Sequence, residues 1–279
     1  MPELVYRDIK ASGARLRVME AGEGPPVVLL HSLLFQRETW AGVFDDLAQH
    51  FRVIAPDLPG FGESEKPNPA RFAYSFSAFS HALADLYAGL RLGPSHLIGH
   101  GLGGAIAITL AARHPELVSR LVVVDPLCYR PPPDPLRRLA LLPVIGGFGL
   151  KQLWGRGAFR SYFHQRIFSE HHAVPEERID RYYDAFNPPA ARACVLATLR
   201  ATADTRPIIA DTARVSAPSL VIWGRADKLY PCSFGQRLAR EMRNTGLELM
   251  ASGHAPHEEQ PKAFVEVVSR FCRAERAGR

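Results

Sequence analysis

Short apolar runs closed by turn formers recur along the chain. Val27-Val28-Leu29-Leu30 lies between Pro25-Pro26 and His31-Ser32, and Phe51-Arg52-Val53-Ile54-Ala55 ends at Pro56-Asp57. Ser95-His96-Leu97-Ile98 ends at Gly99, Leu121-Val122-Val123-Val124 at Asp125-Pro126, Ser219-Leu220-Val221-Ile222-Trp223 at Gly224, and Leu247-Glu248-Leu249-Met250 ahead of Gly253. Such runs, without alternation, predict parallel strands buried on both faces. Patterns with apolar spacing of three and four fall between them: Ser77 to Leu90, Gly103 to His114 (which stops at Pro115) and Ala263 to Arg273. These predict helices. Strands alternating with helices imply right-handed crossovers and a doubly wound sheet. Leu4 to Ile9 and Ala14 to Glu20, flanking Ala11-Ser12-Gly13, predict an antiparallel hairpin leading into it.

The rhythm breaks between Pro126 and Ala217, where Pro131-Pro132-Pro133, Pro188-Pro189 and helical pieces such as Ala190 to Ala203 replace it. The expected organisation is a core of residues 1–126 and 218–279, with a mostly helical insertion of residues 127–217 after the sixth strand. No internal repeat is visible.

Composition narrows the class. Among 279 residues, 47% are apolar, which excludes a disordered chain, and the 22 Gly and 23 Pro follow no period, which excludes a collagen-like one. The longest apolar stretch, Leu139 to Leu150, contains Pro143 and three glycines and falls short of the roughly 18 residues a membrane span needs. The charged start MPELVYRDIK has no apolar core of a secretory leader. The four cysteines, Cys128, Cys194, Cys232 and Cys272, form no CxxC pair. A reduced, cytoplasmic protein is the expectation. The net charge is +6, and most of the excess lies between Arg130 and Arg206. The basic residues there are spread singly and are not interleaved with aromatics, so a solvated basic face is expected, with no nucleic-acid partner. A surface favouring acidic ligands or an anionic membrane is the sharper alternative.

The strongest motif is Leu97-Ile98-Gly99-His100-Gly101-Leu102-Gly103-Gly104, which follows a predicted strand and opens a helix. In the G-x-S-x-G nucleophile elbow the central residue sits on a sharp strand-to-helix turn, flanked by glycines where side chains would collide. Gly99 and Gly103 match, but the centre is Gly101. With it belong Ala55-Pro56-Asp57-Leu58-Pro59-Gly60-Phe61-Gly62-Glu63-Ser64, Val221-Ile222-Trp223-Gly224-Arg225-Ala226-Asp227 and Ser252-Gly253-His254-Ala255-Pro256-His257-Glu258-Glu259-Gln260-Pro261.

These motifs, in this order and each at the end of a predicted strand, resemble the α/β-hydrolase superfamily in its capped, esterase-like branch. The resemblance covers nearly the whole chain. It implies a mostly parallel eight-stranded sheet with helices on both faces and a helical cap. It also implies a triad running nucleophile, acid, histidine, here Gly101, Asp227 and His254. His254 and Asp227 would then meet at the carboxyl edge of the sheet as a working dyad, the carboxyl group fixing the imidazole tautomer. The oxyanion hole would use the backbone N–H of Leu102, after the nucleophile position, and of Leu33, in the loop after His31.

Other residues are weighed beside these. Ser32 stands where the family usually has glycine. It either caps its own backbone or points into the pocket as a substitute nucleophile or donor. Asp125 is an alternative acid at a position more often structural. Trp40 either lines the pocket or packs in the core, and His100 is expected beside the turn. His257 is expected on the following helix. His171-His172 has no partner at metal spacing, so no metal site is assigned, and no cofactor motif is present.

Glycine forms no acyl-enzyme. Four readings fit Gly101: a serine hydrolase whose serine has been exchanged for glycine, a non-catalytic binding protein, a nucleophile-independent enzyme using His254 as general base, or a hydrolase in which Ser32 takes over. Gly101→Ser is expected to lower the melting temperature and, if the rest of the site is intact, to restore p-nitrophenyl ester cleavage. The insertion carries Leu139, Leu141, Leu142, Val144, Ile145, Phe148, Leu150, Leu153, Trp154, Phe159, Tyr162, Phe163, Ile167 and Phe168. Most should pack it onto the core, and some should line a pocket for a small apolar ligand containing a carbonyl, such as an ester or lactone. Glycines 146, 147, 149, 155 and 157 suggest a pliable segment that gates entry.

Overall fold

Eight strands form one sheet in the order β1-β2-β4-β3-β5-β6-β7-β8. They are β1 (Val5–Ala11), β2 (Ala14–Ala21), β3 (Pro26–Leu30), β4 (Arg52–Pro56), β5 (Ser95–His100), β6 (Val118–Val124), β7 (Ser219–Gly224) and β8 (Thr245–Met250). The computed structural model describes residues 3–130, 141–142, 154–170 and 174–274. The expectations placed on Leu139, Val144, Ile145, Phe148, Leu150, Leu153, glycines 146, 147 and 149, and His171-His172 lie outside the described residues.

β1 and β2 form the expected antiparallel hairpin, and β2 pairs antiparallel with β4. All other neighbours are parallel. The apolar runs fill both faces by simple alternation. Val28, Leu30, Leu97, Leu121, Val123, Val221 and Trp223 face one core, and Val27, Leu29, Ile98, Val122, Val124, Leu220 and Ile222 the other.

Helices cover both faces. Ala41–Ala48 (α1) and the C-terminal helix described below lie on the second core, and Phe76–Leu90 (α2) and Leu102–Arg113 (α3) on the first. Ser75 caps α2 by accepting from Ala78 N at 3.2 Å, and Arg91 closes it in the left-handed region. Arg156–Tyr162 (α4), Glu176–Phe186 (α5), Pro189–Ala201 (α6) and Arg206–Thr212 (α7) lie between β6 and β7. Cys232–Glu241 (α8), Pro256–Glu259 (α9) and Pro261–Arg273 (α10) follow. The sequence pattern gave no signal for α1 or α8: α1 is eight residues long and α8 ten, too short for a periodicity to stand out.

The connection between β6 and β7 carries its own aromatic cluster. Phe159 stacks on Phe163 at 4.7 Å and on Phe186 at 5.5 Å, and Trp154 meets Phe159 at 5.3 Å. Phe35, in the loop after β3, joins it through Phe163 at 5.3 Å and Tyr182 at 5.1 Å. This contact brings the connection over the carboxyl ends of β3 and β5. Leu141 and Leu142 are exposed.

Candidate active site

The turn after β5 is made by close backbone approach. A Cβ on Gly99 would stand 2.3 Å from Gly103 O, and one on Gly103 would stand 2.5 Å from Leu30 O. Only glycine fits either position. Between them Gly101 has φ +53° and ψ −111°, a conformation L side chains rarely adopt. Its N–H donates to Val124 O at 2.9 Å and its C=O accepts from Leu127 N at 2.9 Å.

Leu102 N–H opens α3, where the helix has no internal acceptor for it. It donates to the hydroxyl of Ser32 at 3.2 Å. Ser32 is nearly fully buried, and its placement fills the elbow. A Cβ built on Gly101 would lie 2.0 Å from Ser32 Oγ, 2.8 Å from Ser32 Cβ and 3.4 Å from His254 Nε2.

The loop bearing Ser32 is held from beneath. Leu58 N–H donates to His31 Nε2 at 3.0 Å, so His31 carries its proton on Nδ1 and donates it to Ser32 O at 2.8 Å. Burial holds His31 below its ordinary pKa, which keeps this tautomer neutral. Asp57 anchors the neighbouring turn: its carboxyl oxygens accept from Arg37 N and Glu63 N, each at 2.8 Å, and from the Arg37 guanidinium. The Asp57–Ser64 motif thus shapes the bed of the β3 loop.

His254 and Asp227 meet as the motifs implied. Nδ1 of His254 lies 2.8 Å from Asp227 Oδ2, with both side chains buried. The other oxygen of Asp227 accepts from Leu229 N at 2.7 Å and Tyr230 N at 3.0 Å. Nε2 of His254 has no hydrogen-bond partner among the described residues, and it faces the position above Gly101. Asp125 completes a trio: one oxygen or ring nitrogen from each of Asp125, Asp227 and His254 lies within 4.8 Å of the others. The atoms of Asp227 are already committed to His254 and to backbone N–H groups, a donor set suited to orienting an imidazole. Asp125 accepts from Gly224 N at 2.9 Å. Burial first, and the neighbouring Asp227 second, push its carboxyl well above the ordinary range. Asp125 therefore sits beside the acid, not opposite the imidazole.

Sequence reasoning missed the residues that hold the His254 loop. His254 N–H donates to Ile167 O at 2.7 Å. Glu259 accepts from Gly253 N at 2.8 Å, from Ser169 N at 3.1 Å and from Ser169 Oγ at 2.5 Å. The β6–β7 connection thus grips the loop directly. Glu259 lies within the quoted motif, but both it and Glu258 are buried, and nothing in the spacing tells that Glu259 is the one reaching Gly253 and Ser169.

Two residues weighed for the pocket, Trp40 and His100, do not line the cavity. Trp40 is fully buried against His257, at 4.2 Å, and Phe264, and does not line the cavity. His100 is buried beside the turn, its Nε2 2.7 Å from His254 O. His257 lies on α9, as expected, and bonds Thr39 Oγ1 at 2.8 Å.

A small cavity opens above Ser32 and His254. Its walls are mostly apolar: Leu33, Leu34, Phe35, Leu102 and Leu229 from the core side, and Leu127, Tyr162, Ile167 and Leu199 from the β6–β7 connection. Leu34 adopts φ +67° to reach it. The Leu33 N–H, beside Ser32, has no hydrogen-bond partner among the described residues.

A doubly wound sheet carrying an imidazole–carboxyl pair beside a glycine-built turn at its carboxyl edge defines the hydrolase-like class of α/β proteins. The chain belongs to the alpha/beta hydrolase family, whose profile matches residues 27–267. It is 32% identical to an uncharacterized protein of Mycobacterium tuberculosis, over 97% of this chain and 81% of that one. It is 29% identical to the pimeloyl-[acyl-carrier protein] methyl ester esterase of Aeromonas hydrophila, over 90% of this chain and 96% of the relative. The enol-lactonase of Burkholderia xenovorans shares the fold, with a TM-score of 0.80 and 22% identity, over 95% of this chain and 99% of that one. Among the described residues no helix is long and apolar enough to cross a membrane.

Proposed function

We propose that the protein hydrolyses an ester, lactone or similar carbonyl compound of mainly apolar character. His254 acts as general base, Asp227 fixes its tautomer, and the N–H groups of Leu33 and Leu102 receive the oxyanion. The observation that carries this reading is the 2.8 Å His254–Asp227 contact, with Nε2 left open to an apolar cavity. The esterase named among the relatives supports the ester class, and the enol-lactonase fold supports a lactone. Residues 127–217 serve as the cap over a core of residues 1–126 and 218–279; Tyr162, Ile167, Thr198, Leu199 and Thr202 in the cavity wall support this. A cytoplasmic location belongs to the same reading, supported by four unpaired cysteines.

A second reading draws on Gly101, which brings no hydroxyl to the elbow: His254 activates a water directly, or the cavity binds its ligand without turnover. Single-turnover hydrolysis over p-nitrophenyl esters from acetate to decanoate and a set of lactones tests the proposal. The expected result is saturable product formation that His254→Ala abolishes. Saturable binding with no product from any member of the panel would leave a binding protein instead.

A further inference from the structure

We propose that Ser32 is the covalent nucleophile of this site, carried on the β3 loop in place of the elbow. This rests on the hydrolase reading above and names the hydroxyl which that reading lacks.

Three independent observations converge on Ser32. Its Oγ stands 2.0 Å from where the Cβ of a residue at 101 would be, so the hydroxyl has reached the elbow from the opposite wall. Its oxygen accepts the Leu102 N–H at 3.2 Å, at the positive end of α3, where an alkoxide is stabilised. Its own O–H has no acceptor among the described residues, while Nε2 of His254, 3.4 Å from the same reference point, has no donor. The Ser32 hydroxyl and the His254 imidazole thus both line one cavity. A substrate carbonyl entering the cavity between them would find the hydroxyl and the imidazole on the same wall. Hydrogen bonds between a nucleophile and its base are often loose before substrate arrives. The serine is also built to stay in place. Ser32 O accepts from both His31 Nδ1, at 2.8 Å, and Phe35 N, at 3.2 Å.

The chemistry balances. Ser32 Oγ attacks the carbonyl carbon as its proton passes to His254 Nε2, and the carbonyl oxygen becomes an oxyanion. Leu33 N–H is free to receive it, and Leu102 N–H becomes the second donor as Ser32 Oγ turns from a hydroxyl into a more weakly accepting ester oxygen. The intermediate collapses, the bond to the leaving alkoxide breaks, and the imidazolium proton goes to that oxygen. Water then attacks the acyl-Ser32 ester, giving its proton to His254 and releasing a carboxylic acid and free Ser32. One ester and one water become one acid and one alcohol.

The test is covalent labelling by a fluorophosphonate, followed by peptide mass spectrometry. One adduct per chain on the peptide between Arg17 and Arg37 is expected, at Ser32. Ser32→Ala should abolish it, and His254→Ala should slow it by about 10²–10⁴-fold, the usual worth of a general base. Ser32→Cys, which preserves a nucleophile, should label with iodoacetamide faster than Cys128, Cys194, Cys232 or Cys272. No adduct on the native protein, an adduct elsewhere, or ester hydrolysis undiminished in a folded Ser32→Ala protein would overturn the assignment. The last result would leave the hydrolase reading standing with water as nucleophile. Absence of turnover with every ester, alongside clean labelling of Ser32, would instead strike the substrate reading and spare the nucleophile.

Discussion

Ser32 and Gly101 compete for one volume. A side chain on residue 101 would begin 2.0 Å from Ser32 Oγ and 2.8 Å from Ser32 Cβ. Rotating the Ser32 hydroxyl relieves the first contact but not the second, because Cβ moves only with the backbone. That backbone is pinned through its carbonyl by His31 and Phe35. As the loop stands, a serine at 101 would meet Ser32 before it met a substrate.

The first prediction follows from this exclusion. A side chain at φ +53° costs about 1–3 kcal/mol in backbone strain, and overpacking against Ser32 costs about 1–3 kcal/mol more. Gly101→Ser is expected to destabilise the fold by about 2–6 kcal/mol and to gain no ester cleavage. Combining it with Ser32→Gly should recover the overpacking share, a coupling of about 1–3 kcal/mol. Urea unfolding of the native protein, both single variants and the double variant measures it. Additive free energies would mean that Ser32 yields freely, and the exclusion would be wrong.

Asp125 gives the second. Burial and the neighbouring Asp227 push its carboxyl well above the ordinary range, and it accepts from Gly224 N at 2.9 Å. Asparagine preserves an acceptor for Gly224 and a neutral group beside Asp227. Asp125→Asn should therefore keep ester hydrolysis within a few-fold. Asp125→Ala leaves the Gly224 N–H unpaired and should cost about 1–3 kcal/mol of stability. Asp227→Asn, by contrast, should cut kcat by roughly 10⁴-fold through loss of the correct tautomer. Equal damage from Asp125→Asn and Asp227→Asn would make Asp125 the working acid.

Much of this architecture was legible in the chain. Six apolar runs between turn formers read as the parallel strands; five are buried on both faces, as uninterrupted apolar sequence demands, while the sixth, β8, is the edge strand and leaves Leu247 exposed. Gly99 and Gly103 read as an elbow because the backbone contact they allow admits no side chain. Asp227 and His254 were visible as strand-end residues in chain order. Trp40 was ambiguous because indole suits both a core and a pocket, and its packing on His257 joins residues far apart in sequence. Ser32 was legible only as two alternatives, a self-capping hydroxyl or one facing the pocket, and the contacts of Glu259 were hidden, for a related reason. A hydroxyl after β3 and a carboxyl on α9 gain meaning only when loops from different strand ends converge, and no local pattern encodes that distance.

Glu259 gives the third prediction. It ties Gly253 N, next to His254, to Ser169 in the β6–β7 connection. Glu259→Ala removes bonds to a buried carboxyl group, each worth about 1.5–3 kcal/mol, and unpins the His254 loop. The variant should stay folded, show faster amide exchange at residues 252–255, and lose ester hydrolysis mainly in kcat, by about 10- to 100-fold. Glu259→Gln, which keeps one acceptor, should fall between. Unchanged exchange together with an unchanged kcat would show that Ile167 O alone positions the loop.

The last prediction concerns acid. Burial, with help from neighbouring cations or imidazoles, pulls the rings of His31, His100 and His257 below their ordinary pKa, that of His257 to about 3. A depressed imidazole pKa means the fold holds the neutral ring while the unfolded chain takes up a proton near pH 6.5. Each ring therefore stabilises the fold fully above that pH and loses its contribution as pH falls, for His257 down to about 3. Asp125 and Glu258, pushed up by burial, work in the opposite direction. Each histidine should add a slope of about 1.4 kcal/mol per pH unit, so stability should decline from neutral pH toward pH ~4. His257 isolates one such slope. Thr39 gives its single proton to Glu258 Oε1 at 2.5 Å, so His257 Nε2–H is the donor to Thr39 at 2.8 Å. His257→Gln keeps a neutral donor there and should flatten the curve by that amount, measured by urea unfolding at stepped pH. An identical slope in the variant would mean that His257 does not titrate with unfolding, and the buried-neutral assignment would fail.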